Sequence, residues 1–147
     1  APTWQPDARS FDRNFANQML DRVKNAVTNQ DADTLTGYMA PSCRVFDRDK
    51  NTLQPIVGRI LKDIGPNSLI LEFSDVNVAT SKTGSAVVSF HLNVQQKLPK
   101  ATVSYLKCAM KLYFGRHREP ILYGLASGDF WRVEQVESDP TFTLPTI

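Results

Sequence analysis

The chain carries almost no surplus of charge. Seventeen basic residues stand against fifteen acidic ones, a formal +2 over 147 residues. That is too little to make nucleic acid an expected partner. The densest basic cluster, Arg116, His117 and Arg118, runs straight into Glu119, as a solvated turn does. No apolar run approaches the length needed to cross a bilayer, so no membrane partner is expected. There are only two histidines and two cysteines. They form no metal-ligand cluster, and no glycine-rich phosphate loop precedes a helix. No Ser/His/Asp set can be assembled, no internal repeat recurs, and no stretch is of low complexity. Neither a metal nor a cofactor is expected.

What is present is a strong hydrophobic pattern. Hydrophobic residues make up 41% of the chain, enough for a packed core at this length. Between Ser10 and Asn29, the residues Phe11, Phe15, Met19, Leu20, Val23, Ala26 and Val27 advance by threes and fours. That places them on one stripe of an α-helix, with Ser10 as its N-cap. A stripe with two phenylalanines and a methionine needs a large cover. A second short helix is predicted from Ala32 to Met39, capped by Asp31 or Asp33 and ended by Pro41. Cys43 to Phe46 reads as a short strand. A third helix, capped by Asn51 or Thr52, runs to Ile64 and stops at Gly65-Pro66. Pro55 falls in its first turn.

The remainder reads as β-structure. Strands are predicted at Leu69–Thr80, Ala86–Gln96, Thr102–Phe114, Ile121–Ala126 and Phe130–Glu137, with GRHREP and SGD as turns. In the second strand Val88, Phe90, Leu92 and Val94 alternate with Ser89, His91, Asn93 and Gln95, the period of a strand with one buried face. Residues 1–9 read as an extended arm, 10–138 as one domain and 139–147 as an irregular tail.

Two stretches carry a family resemblance. FANQMLDRVKNAVTNQDADTLTGYMAPSCRVF gives a long amphipathic helix, a polar break, a small helix and a strand. SGDFWRVEQVES gives a turn leading into Trp131, Arg132 and Val133. Together they resemble the nuclear-transport-factor-2-like superfamily, also called cystatin-like, and the first is similar to small secreted nematode domains of that type. The resemblance implies an α+β fold: three N-terminal helices packed on a strongly curved antiparallel sheet, cone-shaped. It implies a cone interior whose lining candidates here are Phe15, Met19, Tyr38, Phe90, Leu92, Met110 and Trp131. It also implies pairing into homodimers, which Tyr105, Ala109 and Tyr113 on the face opposite the buried alternation would serve.

The fold hosts enzymes and binding modules alike. Enzymes of this kind place an acid or a histidine inside the cone, and the candidates here are His91 and Asp75. The alternation puts His91 on the outer face unless a bulge turns it inward. Asp75 interrupts an apolar strand pattern, which a cavity position, a bulge or an edge would each explain. The expected function is therefore non-catalytic binding of a small apolar ligand or a protein partner. The alternatives are an isomerase- or dehydratase-type enzyme and a module that only dimerises. Cys43 and Cys108 share parity with inward-facing neighbours, so a disulfide between them is expected, against the alternative of two buried thiols. The bond and the Ala1-Pro2 start would both suit a secreted protein.

Overall fold

A computed structural model describes residues 11–45, 47–65, 68–81, 84–121 and 126–139. Ser10, the arm at 1–9 and positions 140–147 of the tail lie outside the described residues, as do Phe46 and the side chain of Tyr105. In chain order the elements are α1 (Arg13–Thr28), α2 (Ala32–Gly37), α3 (Lys50–Ile64), β1 (Leu69–Thr80), β2 (Ser85–Lys97), β3 (Thr102–Ile121) and β4 (Ala126–Asp139). Among the described residues the strands form one antiparallel sheet in the order β1-β2-β3-β4.

Helix α1 begins later than its stripe suggests. Its N-cap is Asp12, whose carboxylate accepts the Phe15 amide at 2.8 Å. The cap satisfies one of the free amides of the first turn. Phe11, just outside the cap, folds back onto Phe15 with rings 4.8 Å apart. The helix ends in a paired 6→1 and 5→2 turn. Asp31 N–H donates to the Ala26 carbonyl and Gln30 N–H to the Val27 carbonyl, with Gln30 in the left-handed region (φ 57°). The Gln30 side chain then donates to the Leu61 carbonyl at 2.6 Å, tying this turn to α3.

Helix α2 is capped by Asp31, and the Thr34 hydroxyl bonded to that carboxyl is the main cause that holds it below the usual carboxylate range. The helix stops at Gly37, short of the expected Met39. Tyr38 to Ala40 instead run beside β4: Val133 N–H donates to the Tyr38 carbonyl and Ala40 N–H to the Val133 carbonyl. The short strand expected at Cys43–Phe46 is therefore displaced to Met39. What remains there is a single Val45–Arg48 bridge. Helix α3 is capped by Asp49, not by Asn51 or Thr52. Pro55 thus sits beyond the first turn, where its missing amide forfeits a bond to the exposed Asn51 carbonyl.

The sheet bends because its registers slip. In β1, Asp75 and Val76 together oppose Phe90, in β3 Tyr105 is skipped, and in β4 Glu134 is skipped. Each extra residue kinks its strand and adds twist. The concave side receives the helices. One core joins Phe11, Phe15, Met19 and Leu20 of the α1 region to Val88, Phe90, Phe114, Trp131 and Val133 of the sheet. The three helices and the strongly curved antiparallel sheet are those expected.

The largest departure is GRHREP, which is strand and not loop. Strand β3 continues through it to Ile121, and SGD lies inside β4. The charged side chains find partners across the ladder. Arg118 Nε donates to the Ser127 hydroxyl, His117 Nε2 lies 2.8 Å from Glu134 Oε1, and Arg132 grips Glu119. His117 is accordingly half-buried and not fully solvated. A charge run with opposite charges at matching positions on the next strand is compatible with a ladder.

Candidate functional site

The concave face is the candidate site, and the register sets out its rows. Toward its packed end lie Val78, Val88, Leu112 and Val136, and beyond them Ala86, Phe114 and Val133. Toward the other end lie Leu71, Val94 and Leu106, then Phe73, Leu92 and Cys108, then Phe90 opposite Met110. Burial is uneven along these rows: Phe90, Val94 and Cys108 are buried, while Val78, Leu112 and Val136 are half-buried. Phe114 and Val88 are sealed, whereas Leu71, Phe73, Leu92, Leu106 and Met110 are only half-buried. Helix α3 repeats the pattern: Leu53 and Leu61 are buried, while Ile56, Val57 and Ile60 stay half-buried. Phe73 meets Phe90 edge-on at 5.2 Å, so the apolar surface there is partly aromatic.

The seven lining candidates therefore divide. Phe15, Met19, Tyr38, Phe90 and Trp131 belong to the closed core, Trp131 packing edge-on against Phe11 at 5.2 Å. Leu92 and Met110 pack against that core but remain partly open. Trp131 is also stacked under the Arg116 guanidinium, 4.8 Å from the ring centre. Sequence alternation finds the face but not which of its residues are fully covered, and so Leu71, Phe73 and Leu106 are missing from the expected lining.

His91 and Asp75 are brought together, on the other side of the sheet. His91 Nδ1 lies 2.8 Å from Asp75 Oδ2, and their side chains are 59% and 72% exposed. Of the explanations open for Asp75, the structure shows the bulge: its φ is +53°, a conformation aspartate tolerates better than most residues. Arg13 holds the neighbouring Val76 carbonyl from the helix side at 2.6 Å. The pair stands at one end of an outer groove of about 430 Å³, floored by Ser89 and Ala109 and flanked by Lys111, Glu137 and Asp139. Among the described residues no group of three His, Cys, Asp or Glu side chains is placed to hold a metal. No helix among them is long and apolar enough to cross a membrane.

The cysteines do not pair. Both are buried and free, which corrects the expected disulfide. The reason is register. Cys43 donates its amide to Ala40, which is itself bonded to Val133, and Val133 stands opposite Phe114. Cys108 lies six residues along β3 from Phe114. At the rise of an extended strand Cys108 is about 20 Å from Phe114, so the two thiols belong to different ends of β3, whereas a bond needs α-carbons within about 7 Å. Burial raises both thiols above their ordinary range, with the Glu134 carboxylate adding to the effect at Cys43. Native protein is thus expected to resist a thiol reagent at neutral pH and to yield two thiols per chain once unfolded without reductant. Fewer than two would restore the bond.

Neither a family model nor a curated protein sequence matches the chain. Solved structures do. Aln2 from a Streptomyces species superposes with a TM-score of 0.67 at 9% identity, covering 88% of this chain and 93% of that one. An NTF2-like protein with a cystatin-like fold from Novosphingobium aromaticivorans gives 0.63 at 16% identity, covering 86% and 80%. A Catenulispora acidiphila protein solved in complex with S-DNPA gives 0.60 at 11%, covering 84% and 88%. The class this defines is an α+β cone of helices on a curved antiparallel sheet. The chain has the nuclear-transport-factor-2-like, cystatin-like fold. The likeness to secreted nematode domains is not shown by these matches, and at such identities the fold is all they establish.

Proposed function

We propose that this is a non-catalytic binding domain that takes a small apolar ligand against the concave face. The observation that carries the reading is the group of half-buried Leu71, Phe73, Leu92, Leu106 and Met110 on the concave face, interleaved with the buried Phe90, Val94 and Cys108. Apolar surface in a concavity gains about 25 cal/mol for each Å² removed from water, so an apolar ligand is the chemistry that fits it. The Catenulispora structure with S-DNPA supports the reading in so far as a protein of this fold holds a small molecule. An isomerase or dehydratase would need an acid or base among these rows. Among the described residues they offer apolar side chains and the Cys108 thiol, while His91 and Asp75 stand on the opposite face.

The test is titration with a neutral apolar fluorophore, N-phenyl-1-naphthylamine, followed by its emission. Saturable binding is expected, with Leu92→Glu weakening it at least about tenfold because a carboxylate would have to lose its hydration beside the ligand. Absence of binding to the wild type, or equal binding by a variant with unchanged circular dichroism, overturns the reading.

A second reading concerns assembly. No described helix covers the outer face, and half-buried Val87, Ala109 and Tyr113 lie on it. We infer a homodimer through that face.

A further inference from the structure

We propose that the turn joining β2 and β3 docks on the surface of an anionic lipid bilayer, and that an apolar ligand passes there between the bilayer and the concave face. The proposal rests on the reading of that face as a ligand surface and names where its ligand comes from. The expectation of no membrane partner concerned a spanning run. Resting on the surface of a bilayer needs only a few apolar and basic side chains.

The concave rows run out toward this turn. Past the row of Leu71, Val94 and Leu106, the next row on the same face is Leu69, Gln96 and Val103. Val103 is 40% exposed, and Leu98 at the turn is 46% exposed. Among the described residues these two are the large apolar side chains most open to water. Apolar surface therefore continues from the half-buried Leu106 to the rim. The turn itself is tight. Leu98 N–H donates to the Ala101 carbonyl at 2.8 Å, and Ala101 N–H to the Leu98 carbonyl at 3.4 Å. Pro99 and Lys100 form its corner, and the fixed φ of proline leaves less freedom to lose on docking.

The charge at this end has one sign. Lys97 and Lys100 flank Leu98 and Pro99, and both are exposed. Across residues 94–106 they are the sole charged side chains, and the neighbouring residues 69–71 carry none. Among the described residues neither lysine has an ionic partner. Helix α3 ends at Ile64, shortly before Ser68, whose carbonyl accepts the Lys97 N–H at 2.8 Å. The last turn of that helix carries Lys62 and Asp63, whose charges offset each other. Basic side chains are drawn to the negative potential of a bilayer that contains phosphatidylserine, and apolar ones beside them enter its headgroup layer. A projecting turn with two apolar side chains is too small for a stable protein interface, which buries about 800 Å² on each side. A bilayer asks for no matching shape. Its hydrocarbon is also where an apolar ligand partitions, so the rim that meets lipid is the rim through which such a ligand enters.

Docking is tested by cosedimentation with vesicles of phosphatidylcholine, either pure or mixed with about 30% phosphatidylserine to give a negative surface. Wild type is expected on the mixed vesicles, not on the pure ones, and to leave them at high salt as the surface charge is screened. Lys97→Glu with Lys100→Glu, and Leu98→Ser alone, should each weaken this binding at least about tenfold. Both variants should keep the circular dichroism of the wild type and its binding of N-phenyl-1-naphthylamine without vesicles. Loaded wild type should pass that fluorophore to mixed vesicles at a rate that rises with vesicle concentration. A wild type that does not cosediment overturns the docking; that assay uses no ligand, so the ligand reading stands or falls by its own titration. Equal cosedimentation by the variants puts the contact elsewhere and overturns the proposal. Loss by the charge variant but not by Leu98→Ser assigns the lysines to an acidic protein surface and also overturns it. A wild-type transfer rate indifferent to vesicle concentration overturns the passage of ligand at this turn.

Discussion

Replacing Glu119 with alanine is expected to destabilise the fold by about 3 kcal/mol, as the loss of one partner from a buried pair does. Arg132 is 2% exposed, and its guanidinium donates to both Glu119 carboxylate oxygens, at 2.7 and 3.0 Å. It lies 4.6 Å from the centre of the buried Phe130 ring. Without the carboxylate, a charge already taken out of water keeps that ring and a weak 3.4 Å bond to the Trp131 carbonyl, but not its bidentate acceptor. The retained contacts set the effect at the lower end of the usual range. Replacing both members, Glu119→Leu with Arg132→Met, should cost much less than Glu119→Ala, because no charge is then left buried. Chemical denaturation of the three proteins measures this. A loss under about 1 kcal/mol for Glu119→Ala would place the pair effectively in solvent.

The second large effect is expected at Phe114. Its side chain is 1% exposed and lies 4.8 Å, ring to ring, from Phe11, which itself meets Phe15 and Trp131. The ring thus joins β3, α1 and β4 in one cluster. Phe114→Ala removes it where neighbours on three sides are fixed by strand register and helix packing, so the cavity collapses only in part. A loss of about 3–5 kcal/mol follows. Lys24→Ala, on a half-exposed position of α1, should change stability by less than about 0.5 kcal/mol. A small loss at Phe114 would mean that the helices do not pack on the concave face.

These two sites also show what the sequence made legible. Phe114 sits in an unbroken alternation, Leu106 to Phe114, and the α1 stripe steps by threes and fours. Period alone therefore placed both halves of the core. Glu119 and Arg132 sit in a stretch whose charges read as a turn. Their partners lie across the ladder, 13 residues apart in sequence, where no local pattern can show them. Caps shifted for a similar reason. Ser10 and Asp12 are both good N-caps, and only the placement of Phe11 against the core decides where α1 begins. Alternation places His91 on the outer face but does not decide Asp75, because a bulge changes parity at a point that no composition announces. The cysteines show the limit most plainly. Shared parity put both thiols inward, but how far apart they lie depends on the pairing of Tyr38 to Ala40 with β4.

The concave face as an apolar ligand surface is the central claim, and methyl-resolved NMR tests it most directly. Protein labelled at leucine and methionine methyls is titrated with N-phenyl-1-naphthylamine. The account predicts saturable shifts concentrated at Leu71, Leu92, Leu106 and Met110, with Leu20 and Leu53 of the sealed core moving less. Shifts that spare those four methyls, or no shifts at concentrations that saturate the fluorescence, would contradict it.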